Sequence, residues 1–393
     1  MRKFLTVVLL TIGYFQSTQA QKLNVKNEFR FAEDQVSLML SEINQLPAGK
    51  LVSPRTIENG QLKMTDAGNW TSGFFPGMLW YLFEYTGDNK WKLEAEKFTA
   101  NLKGQQHNKG THDLGFMVYG SFGHGYKLTN DSSYKSVLIN AAKSLSTRFH
   151  PIPGLIQSWE HLPQFTYPVI IDNMMNLELL FAATKLTGDS SFYKIAIEHA
   201  NLTLKNAFRK DYSSYHVIDY NPKDGSVIKK ATHQGFADES AWARGQAWGL
   251  YGYTMCFRET GDTAYLNQAK HIAKYILNSP KIPKDMVPYW DYDDPSIPSS
   301  PRDVSAASIT ASALFELASH TKDLYYKEKA KQILESLSKN YRSKKDGEKG
   351  FILEHSTGHK PYNSEIDVPI IYADYYYLEA LIRSQENYIE NRY

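Results

Sequence analysis

The segment Thr-Gly-Asp-Ser-Ser-Phe-Tyr (187–193) carries the signal that decides the fold of this chain. It follows an apolar run with helical spacing, and Gly188 suits the left-handed residue with which many helices end. Asp189 suits the N-cap of a second helix, in which apolar residues recur at helical spacing as far as Ala200. The segment therefore predicts a tight joint between two helices.

Four further segments repeat this pattern, each after an apolar helical run and before an aromatic residue: 86–88, 129–131, 260–262 and 321–323. Their spacing is too uneven for an array of the tetratricopeptide type. The long connections between the hairpins are rich in Gly, Pro, Trp and His: 110–125, 151–168, 212–242 and 280–301. Such connections gather at one end of a closed helical barrel, so we expect a toroid with a pocket at its mouth. The alternative is an open solenoid that binds proteins.

Charge and composition narrow the functional classes. The 393 residues carry a formal net charge of +2 and no basic block, so neither nucleic acid nor a membrane surface is an expected partner. The single cysteine, Cys256, excludes a disulfide framework. No change of composition marks a domain boundary, and we expect residues 21–393 to form one domain.

The first twenty residues resemble a secretory signal. A charged start, Met-Arg-Lys, precedes an apolar stretch at 4–15 and the small-residue segment Ser-Thr-Gln-Ala at 17–20. The apolar stretch is shorter than the ~20 residues that span a bilayer. We therefore expect residues 1–20 to be removed and the protein to be exported, into the periplasm of a bacterium, without a membrane span.

The segment Thr-His-Gln-Gly-Phe-Ala-Asp-Glu-Ser-Ala-Trp-Ala-Arg-Gly-Gln-Ala-Trp (232–248) is the strongest candidate for a binding site. Two indoles beside a guanidinium and several amides suit a ring that bears hydroxyls and a carboxylate. The alternative is a buried helix pair, in which Arg244 would need a partner inside the core. We interpret the segment as part of a site for a sugar acid.

Two acidic residues stand apart from the solvated ones. Asp113 lies in a Gly-flanked loop without an adjacent basic residue, and Asp172 follows an apolar run at the start of a helix. Burial and a second carboxylate both raise the pKa of a carboxyl group, whereas a helix N-terminus lowers it. Two Asp residues in unlike settings can divide acid and base roles. The alternatives are an ordinary N-cap for Asp172 and a loop-turning role for Asp113.

Three histidines, His112, His216 and His233, lack the spacing of metal ligands, so we expect no metal. Trp70 stands at the polar start of an apolar helix. It is a candidate platform on which a sugar ring stacks, with a core role as the alternative.

Five motifs together resemble the unsaturated glucuronyl hydrolases of glycoside hydrolase family 88. They are Asn-Trp-Thr-Ser-Gly-Phe-Phe-Pro-Gly (69–77), His-Asp-Leu-Gly-Phe (112–116), Ile-Asp-Asn-Met-Met-Asn-Leu (171–177), Thr-His-Gln-Gly (232–235) and Trp-Ala-Arg-Gly-Gln-Ala-Trp (242–248). The related unsaturated rhamnogalacturonyl hydrolases usually have Arg-Gly-Asn-Gly-Trp where this chain has Arg-Gly-Gln-Ala-Trp (244–248), which favours the glucuronyl family.

The resemblance implies an (α/α)6 barrel that removes 4,5-unsaturated glucuronic acid from the non-reducing end of lyase-generated glycosaminoglycan oligosaccharides. The reaction is hydration of an enol ether and needs no metal or organic cofactor. The family's two catalytic carboxyls match Asp113 and Asp172, the second being the main acid and base. Its substrate contacts match Trp70, His112, His216, Gln234, Arg244 and Trp248.

One motif leaves the substrate open. Family members with different sulfation preferences differ in a Ser-containing loop, where this chain has Tyr-Asn-Ser-Glu-Ile-Asp-Val-Pro (362–369). Heparin-type and chondroitin-type oligosaccharides both remain candidates. Two other classes also remain: a toroid-shaped polysaccharide lyase, which the near-neutral charge disfavours, and a non-catalytic glycan-binding protein.

Overall fold

The computed structural model describes residues 23–47, 49–386 and 388–389, so the signal predicted at 1–20 lies outside the described residues. Twelve α-helices lie within these ranges: α1 Val25–Asn44, α2 Phe74–Thr86, α3 Asn89–Ala100, α4 His124–Thr129, α5 Ser132–Ser146, α6 Asn173–Thr187, α7 Ser190–Asn206, α8 Ala243–Thr260, α9 Thr263–Asn278, α10 Val304–Thr321, α11 Leu324–Ser336 and α12 Ile371–Arg383. A π-helix, Gly115–Gly123, leads directly into α4 and extends it. No helix of the described ranges is long and apolar enough to cross a membrane.

The predicted joints between helices are confirmed. Gly188 ends α6 at a φ of 76°, and the side chain of Asp189 accepts a hydrogen bond from the backbone N–H of Ser191 at the start of α7. The other four joints have the same geometry, with these residues in the left-handed and capping positions: Gly87 and Asp88, Asn130 and Asp131, Gly261 and Asp262, Lys322 and Asp323.

The helices form two concentric rings. Helices α2, α6, α8, α10 and α12 are buried on nearly all sides, whereas α3, α5, α7, α9 and α11 bury only one face. The inner helices contact one another in chain order, with the π-helix between α2 and α6, and α12 contacts α2 again. Helix α1 packs outside α12 and α2. The ring is therefore closed: the (α/α)6 barrel is confirmed and the open solenoid is wrong. The extent of the domain, 21–393, stays a prediction.

The long connections lie at one end of the barrel. Each tight joint leads from an inner helix to an outer one, so each long connection returns at the opposite end. In the part of the chain that the structure describes, nine short strands lie in these connections: β1 Leu51–Glu58, β2 Gln61–Asp66, β3 Phe149–His150, β4 Leu155–Ile156, β5 Pro168–Ile170, β6 Val217–Tyr220, β7 Val227–Ala231, β8 Ser356–His359 and β9 Ser364–Val368. They pair antiparallel as β1–β2, β3–β4, β5–β6–β7 and β8–β9, and they build the walls of the mouth.

Candidate active site

Asp172 lies at the junction of β5 and α6, on the floor of the mouth. The residue is 9% exposed and its side chain makes no capping hydrogen bond to α6, so the interpretation as an ordinary N-cap is wrong. Among the described residues, no donor lies at hydrogen-bonding geometry to its Oδ2. A buried carboxyl oxygen without a donor is costly, which is typical of a functional group rather than a structural one.

The surroundings of Asp172 favour its protonated form. Burial raises the pKa of Asp172 to about 7; the Arg244 cation opposes this rise and the Asp113 carboxylate adds to it. At neutral pH the group is therefore divided between acid and carboxylate, the state that suits a residue that gives and then takes a proton. The division of acid and base roles between the two Asp residues stays a prediction.

Asp113 lies in the loop before the π-helix, which packs closely on α6. A Cβ at Gly115 would come within 2.6 Å of the Asn176 Cα, so only glycine allows this approach. The Phe116 N–H also donates to the Asn176 side chain at 3.1 Å. These contacts hold the loop that carries Asp113 against the helix that follows Asp172.

His112 connects Asp113 to the wall of the mouth. Its Nδ1 lies 2.8 Å from the Ser158 carbonyl oxygen and therefore carries the proton, while its Nε2 lies 3.2 Å from Asp113 Oδ1. Burial lowers the pKa of His112, which favours the neutral ring. A neutral Nε2 and a carboxylate are both acceptors, so the pair suits a substrate hydroxyl that donates a hydrogen bond.

His216 faces Asp172 from the neighbouring strand connection. Its carbonyl accepts the Ile171 N–H at 3.1 Å, which extends the β5–β6 pairing and places the two side chains together. Its Nδ1 accepts the backbone N–H groups of His233 and Gln234, each at 3.0 Å. The hydrogen of the neutral ring must therefore be on Nε2, which lies 3.8 Å from Asp172 Oδ2. Burial lowers the pKa of His216 well below its ordinary value, so the ring remains neutral.

Arg244 has a buried carboxylate partner, Asp303, which could not be identified from the sequence. Its guanidinium is buried, donates to Asp303 and to the Thr357 carbonyl at 2.7 Å each, and also donates to the Gly358 carbonyl. The Gln234 side chain donates to the same Gly358 carbonyl at 3.3 Å. Both residues thus hold β8 at the mouth, and Arg244 places a positive charge near Asp172. Their direct contact with substrate stays a prediction.

The two tryptophans differ in accessibility. Trp70 is half-buried against Phe116 and Tyr372, whereas Trp248 is fully buried. Phe116 and Tyr376 pack against the Trp248 ring, so no face of it is open for a sugar to stack on in this structure. Its Nε1–H finds no acceptor at hydrogen-bonding geometry among the described residues, yet it lies near enough to Asp172 to favour the carboxylate. A polar contact with substrate stays a prediction.

The structure adds aromatic residues that the sequence did not single out. Trp159 is half-buried, and its ring lies beside the rings of His112, His216 and His233 at centroid distances of 6.4, 5.9 and 4.9 Å. The one signal available was its place in the Pro- and Trp-containing connection 151–168. Within the described ranges, no three His, Cys, Asp or Glu residues are arranged to hold a metal ion.

His359 is a second addition, from the connection before α12. Its ring lies 4.9 Å from that of His233 and 4.4 Å from that of Tyr362. Burial lowers the pKa of His359 to about 3, and neither ring nitrogen has a hydrogen-bond partner among the residues described. Two buried ring nitrogens without a partner, beside His233 and Tyr362, suit a ligand with hydroxyl or anionic groups.

A closed ring of helical hairpins, with two carboxyls, polar side chains and a half-buried indole at its mouth, defines an α/α-barrel enzyme that acts on carbohydrates. The family model described as Glycosyl Hydrolase Family 88 matches residues 50–388. The chain therefore belongs to this family, and it is a glycosidase.

Relatives of known name cover nearly the whole chain. An unsaturated glucuronyl hydrolase of Formosa agariphila is 46% identical over 98% of this chain and 99% of its own. An unsaturated chondroitin disaccharide hydrolase of Streptococcus pneumoniae is 34% identical over 84% of this chain and 85% of its own. A solved unsaturated glucuronyl hydrolase described as specific for heparin is 44% identical and superposes with a TM-score of 0.88, over 94% of this chain and 99% of that one.

Proposed function

We propose that this protein removes 4,5-unsaturated glucuronic acid from the non-reducing end of glycosaminoglycan fragments produced by lyases. The observation that carries the proposal is Asp172, a buried carboxyl whose pKa burial raises to about 7 and whose Oδ2 has no hydrogen-bond donor among the described residues. The names of the relatives, which include glucuronyl and chondroitin disaccharide hydrolases, support the same substrate class.

In the proposed reaction, the Asp172 acid gives its proton to C4 of the substrate's enol ether. A positive charge develops at C5 and the ring oxygen. A water oxygen then bonds to C5 and gives one proton to the Asp172 carboxylate, which leaves a hydroxyl on C5. The resulting hemiketal opens by breaking the bond between C5 and the ring oxygen, which leaves a ketone at C5 and a hemiacetal at C1. The hemiacetal collapses to an aldehyde at C1, and its hydroxyl proton leaves with the remaining sugar as an alcohol. One proton is given and one is recovered, so the enzyme returns to its starting state.

Neighbouring groups stabilise the acid form of Asp172 before the proton transfer and its carboxylate form afterwards. The Asp113 charge favours the acid before the transfer, and the Arg244 cation favours the carboxylate after it. The His216 Nε2–H, at 3.8 Å from Oδ2, is a neutral donor that can bind the carboxylate or the attacking water. The His112–Asp113 pair offers acceptors for a substrate hydroxyl.

The conjugated double bond of the substrate gives a direct test. We expect the ultraviolet absorbance of at least one unsaturated disaccharide, from a panel of heparin and chondroitin types, to disappear on incubation with the protein. A lyase would instead create this absorbance from intact polymer, and a binding protein would do neither. In heavy water the product should carry one deuterium at C4. Turnover of unsaturated rhamnogalacturonan fragments alone would overturn the substrate class.

We also propose that the protein acts after export. The supporting feature is the charged and then apolar composition of residues 1–20. Mass spectrometry of the protein from a bacterial host should find a mature chain that begins after Ala20 in the periplasmic fraction. A full-length chain recovered from the cytoplasm would contradict the proposal.

A further inference from the structure

A buried carboxylate outside the candidate site holds the turn that fixes His216. Asp291 lies in the connection between α9 and α10 and is fully buried. Its Oδ2 accepts the Phe236 N–H at 2.9 Å and the Ser240 hydroxyl at 2.7 Å, and its Oδ1 accepts the Asp293 N–H at 2.8 Å. Three donors thus converge on one carboxylate, and two of them belong to the segment 232–240.

The turn packs on this carboxylate without spare room. A Cβ at Gly235 would come within 2.6 Å of Thr232 Oγ1 and 3.1 Å of Asp291 Oδ2. The Gly235 N–H donates to Thr232 Oγ1 at 2.8 Å, which closes the turn on itself. The backbone at 232–236 is therefore packed closely against Asp291.

The same turn determines which ring nitrogen of His216 carries the hydrogen. The N–H groups of His233 and Gln234 both point at His216 Nδ1, so the imidazole hydrogen is held on Nε2, towards Asp172. Without these two donors, a neutral imidazole can exchange its tautomers and rotate. The orientation of the donor at Asp172 thus depends on a turn that Asp291 anchors.

We infer that Asp291 is a positioning residue, which fixes the turn 232–236 and thereby keeps His216 as the Nε2–H tautomer aimed at Asp172. The inference rests on the proposed function, in which Asp172 transfers the proton. Asp291 itself is fully buried against the turn and is not assigned a catalytic role. It acts through backbone N–H groups rather than through a side chain of the site.

The test replaces Asp291 with asparagine in the full-length protein. Asp291→Asn keeps the shape but turns one acceptor into a donor, which then opposes the N–H and O–H groups around it. We expect kcat to fall by about 10- to 100-fold, as for other losses of positioning, with a smaller change in KM. Ser240→Ala removes one of the three donors and should change kcat in the same direction by less.

Nitrogen-15 spectra of labelled histidine report the tautomer without any substrate. The His216 signals are assigned by their loss in His216→Gln. We expect one Nε2–H tautomer in the wild-type protein and exchange between tautomers in Asp291→Asn. If wild-type protein leaves every unsaturated disaccharide unchanged, the proposed function fails, and these spectra still decide the positioning role.

Glu28→Gln is the matched control. Glu28 is also a buried carboxylate with three side-chain donors, from Ser338, Arg342 and Tyr377, but it lies on α1, away from the turn. The Glu28→Gln variant should have lower thermal stability than the wild type, with kcat and the His216 spectrum unchanged. The inference is overturned if folded Asp291→Asn keeps the wild-type tautomer, or if its tautomer changes while kcat stays at the wild-type value.

Discussion

The Asp172 carboxyl is subject to three effects that the structure separates: burial, the Arg244 cation and the Asp113 carboxylate. Asp172→Asn preserves the shape of the side chain but cannot deliver a proton. We expect kcat to fall by at least the ~10²–10⁴ typical of general acid–base catalysis, while the disaccharide still binds. Steady-state kinetics and calorimetric titration of the variant measure the two quantities. Near-normal turnover would move the acid role to Asp113.

Asp113 has a testable effect on the pH dependence of the rate. The reaction needs the Asp172 acid, so the rate should fall as the pH rises through its pKa of about 7. Asp113→Asn removes a like charge that raises this pKa, so the fall should begin at lower pH. The pH profile of kcat/KM for the wild type and the variant gives the comparison. A profile with an unchanged alkaline limb would show that the two carboxyls are not coupled.

The two tryptophans should respond differently to truncation. Trp70→Ala removes a half-buried ring, and the loss of ~1–3 kcal/mol of stacking would raise KM by roughly one to two decades. Trp248→Ala removes a fully buried ring and should destabilise the fold by ~3–5 kcal/mol. Urea unfolding and disaccharide kinetics on both variants separate these effects. Equal KM changes without a stability difference would contradict the assignment.

Residue types predicted the chemistry of the site better than the contacts within it. Asp172 stood out because an apolar run precedes it, and its burial follows from that run. Arg244 could not be paired in advance, since Asp303 lies 59 residues further along the chain. Trp248 could not be recognised as enclosed, because its burial depends on Phe116 and Tyr376 from other inner elements.

The helix joints were predictable because their signals are local. Gly188, at a φ of 76°, and Asp189, which caps α7, act within a few residues of chain. Asp189→Ala should lower the free energy of unfolding through loss of the cap. Gly188→Ala should cost a similar amount through backbone strain alone, since no atom lies within 4 Å of the added Cβ.

Both joint variants lie at the end of the barrel opposite the mouth, so their kcat and KM should equal those of the wild type. Thermal unfolding and kinetics on the two variants check this separation. A change in kcat would show that the joint between α6 and α7 influences Asp172 at the other end of α6.

The strands at the mouth could not be predicted because their pairing depends on residues far apart in sequence. Strands β5 and β6 are three and four residues long and meet across more than forty residues of sequence. Their pairing brings His216 beside Asp172, but each strand alone is too short to carry a clear alternating pattern. The sequence thus predicted both residues for the site without predicting that they face each other.

Closure of the whole ring brings charged residues together inside it. Arg258 on α8 and Arg383 on α12 both contact Glu316 on α10, at 2.8 and 2.9 Å, and Arg258 also pairs with Glu178 on α6. These contacts join four inner helices in the interior. The two residues of each ion pair lie far apart in sequence, so these pairs could not be predicted before the closed barrel was known.

The burial of Asp172 also affects the stability of the whole molecule. Its pKa rises from 3.8 to about 7 in the folded protein, so between these values the folded chain keeps a proton that the unfolded chain releases. The free energy of unfolding therefore falls as the pH rises from about 4 to about 7. The Asp172→Asn side chain does not titrate, so its free energy of unfolding is free of this decrease. As the pH rises, the free energy of unfolding of the variant should therefore increase relative to that of the wild type, by at most about 4 kcal/mol.

Urea unfolding of both proteins at about pH 4.5 and about pH 8 measures this difference. Other titrating groups, such as the Glu316 cluster, are common to both proteins and cancel in the comparison. A stability difference that stays constant with pH would mean that Asp172 is ionised in the folded protein throughout. The barrel would then hold a carboxylate rather than an acid in its mouth, and the proton for C4 would have to come from another group.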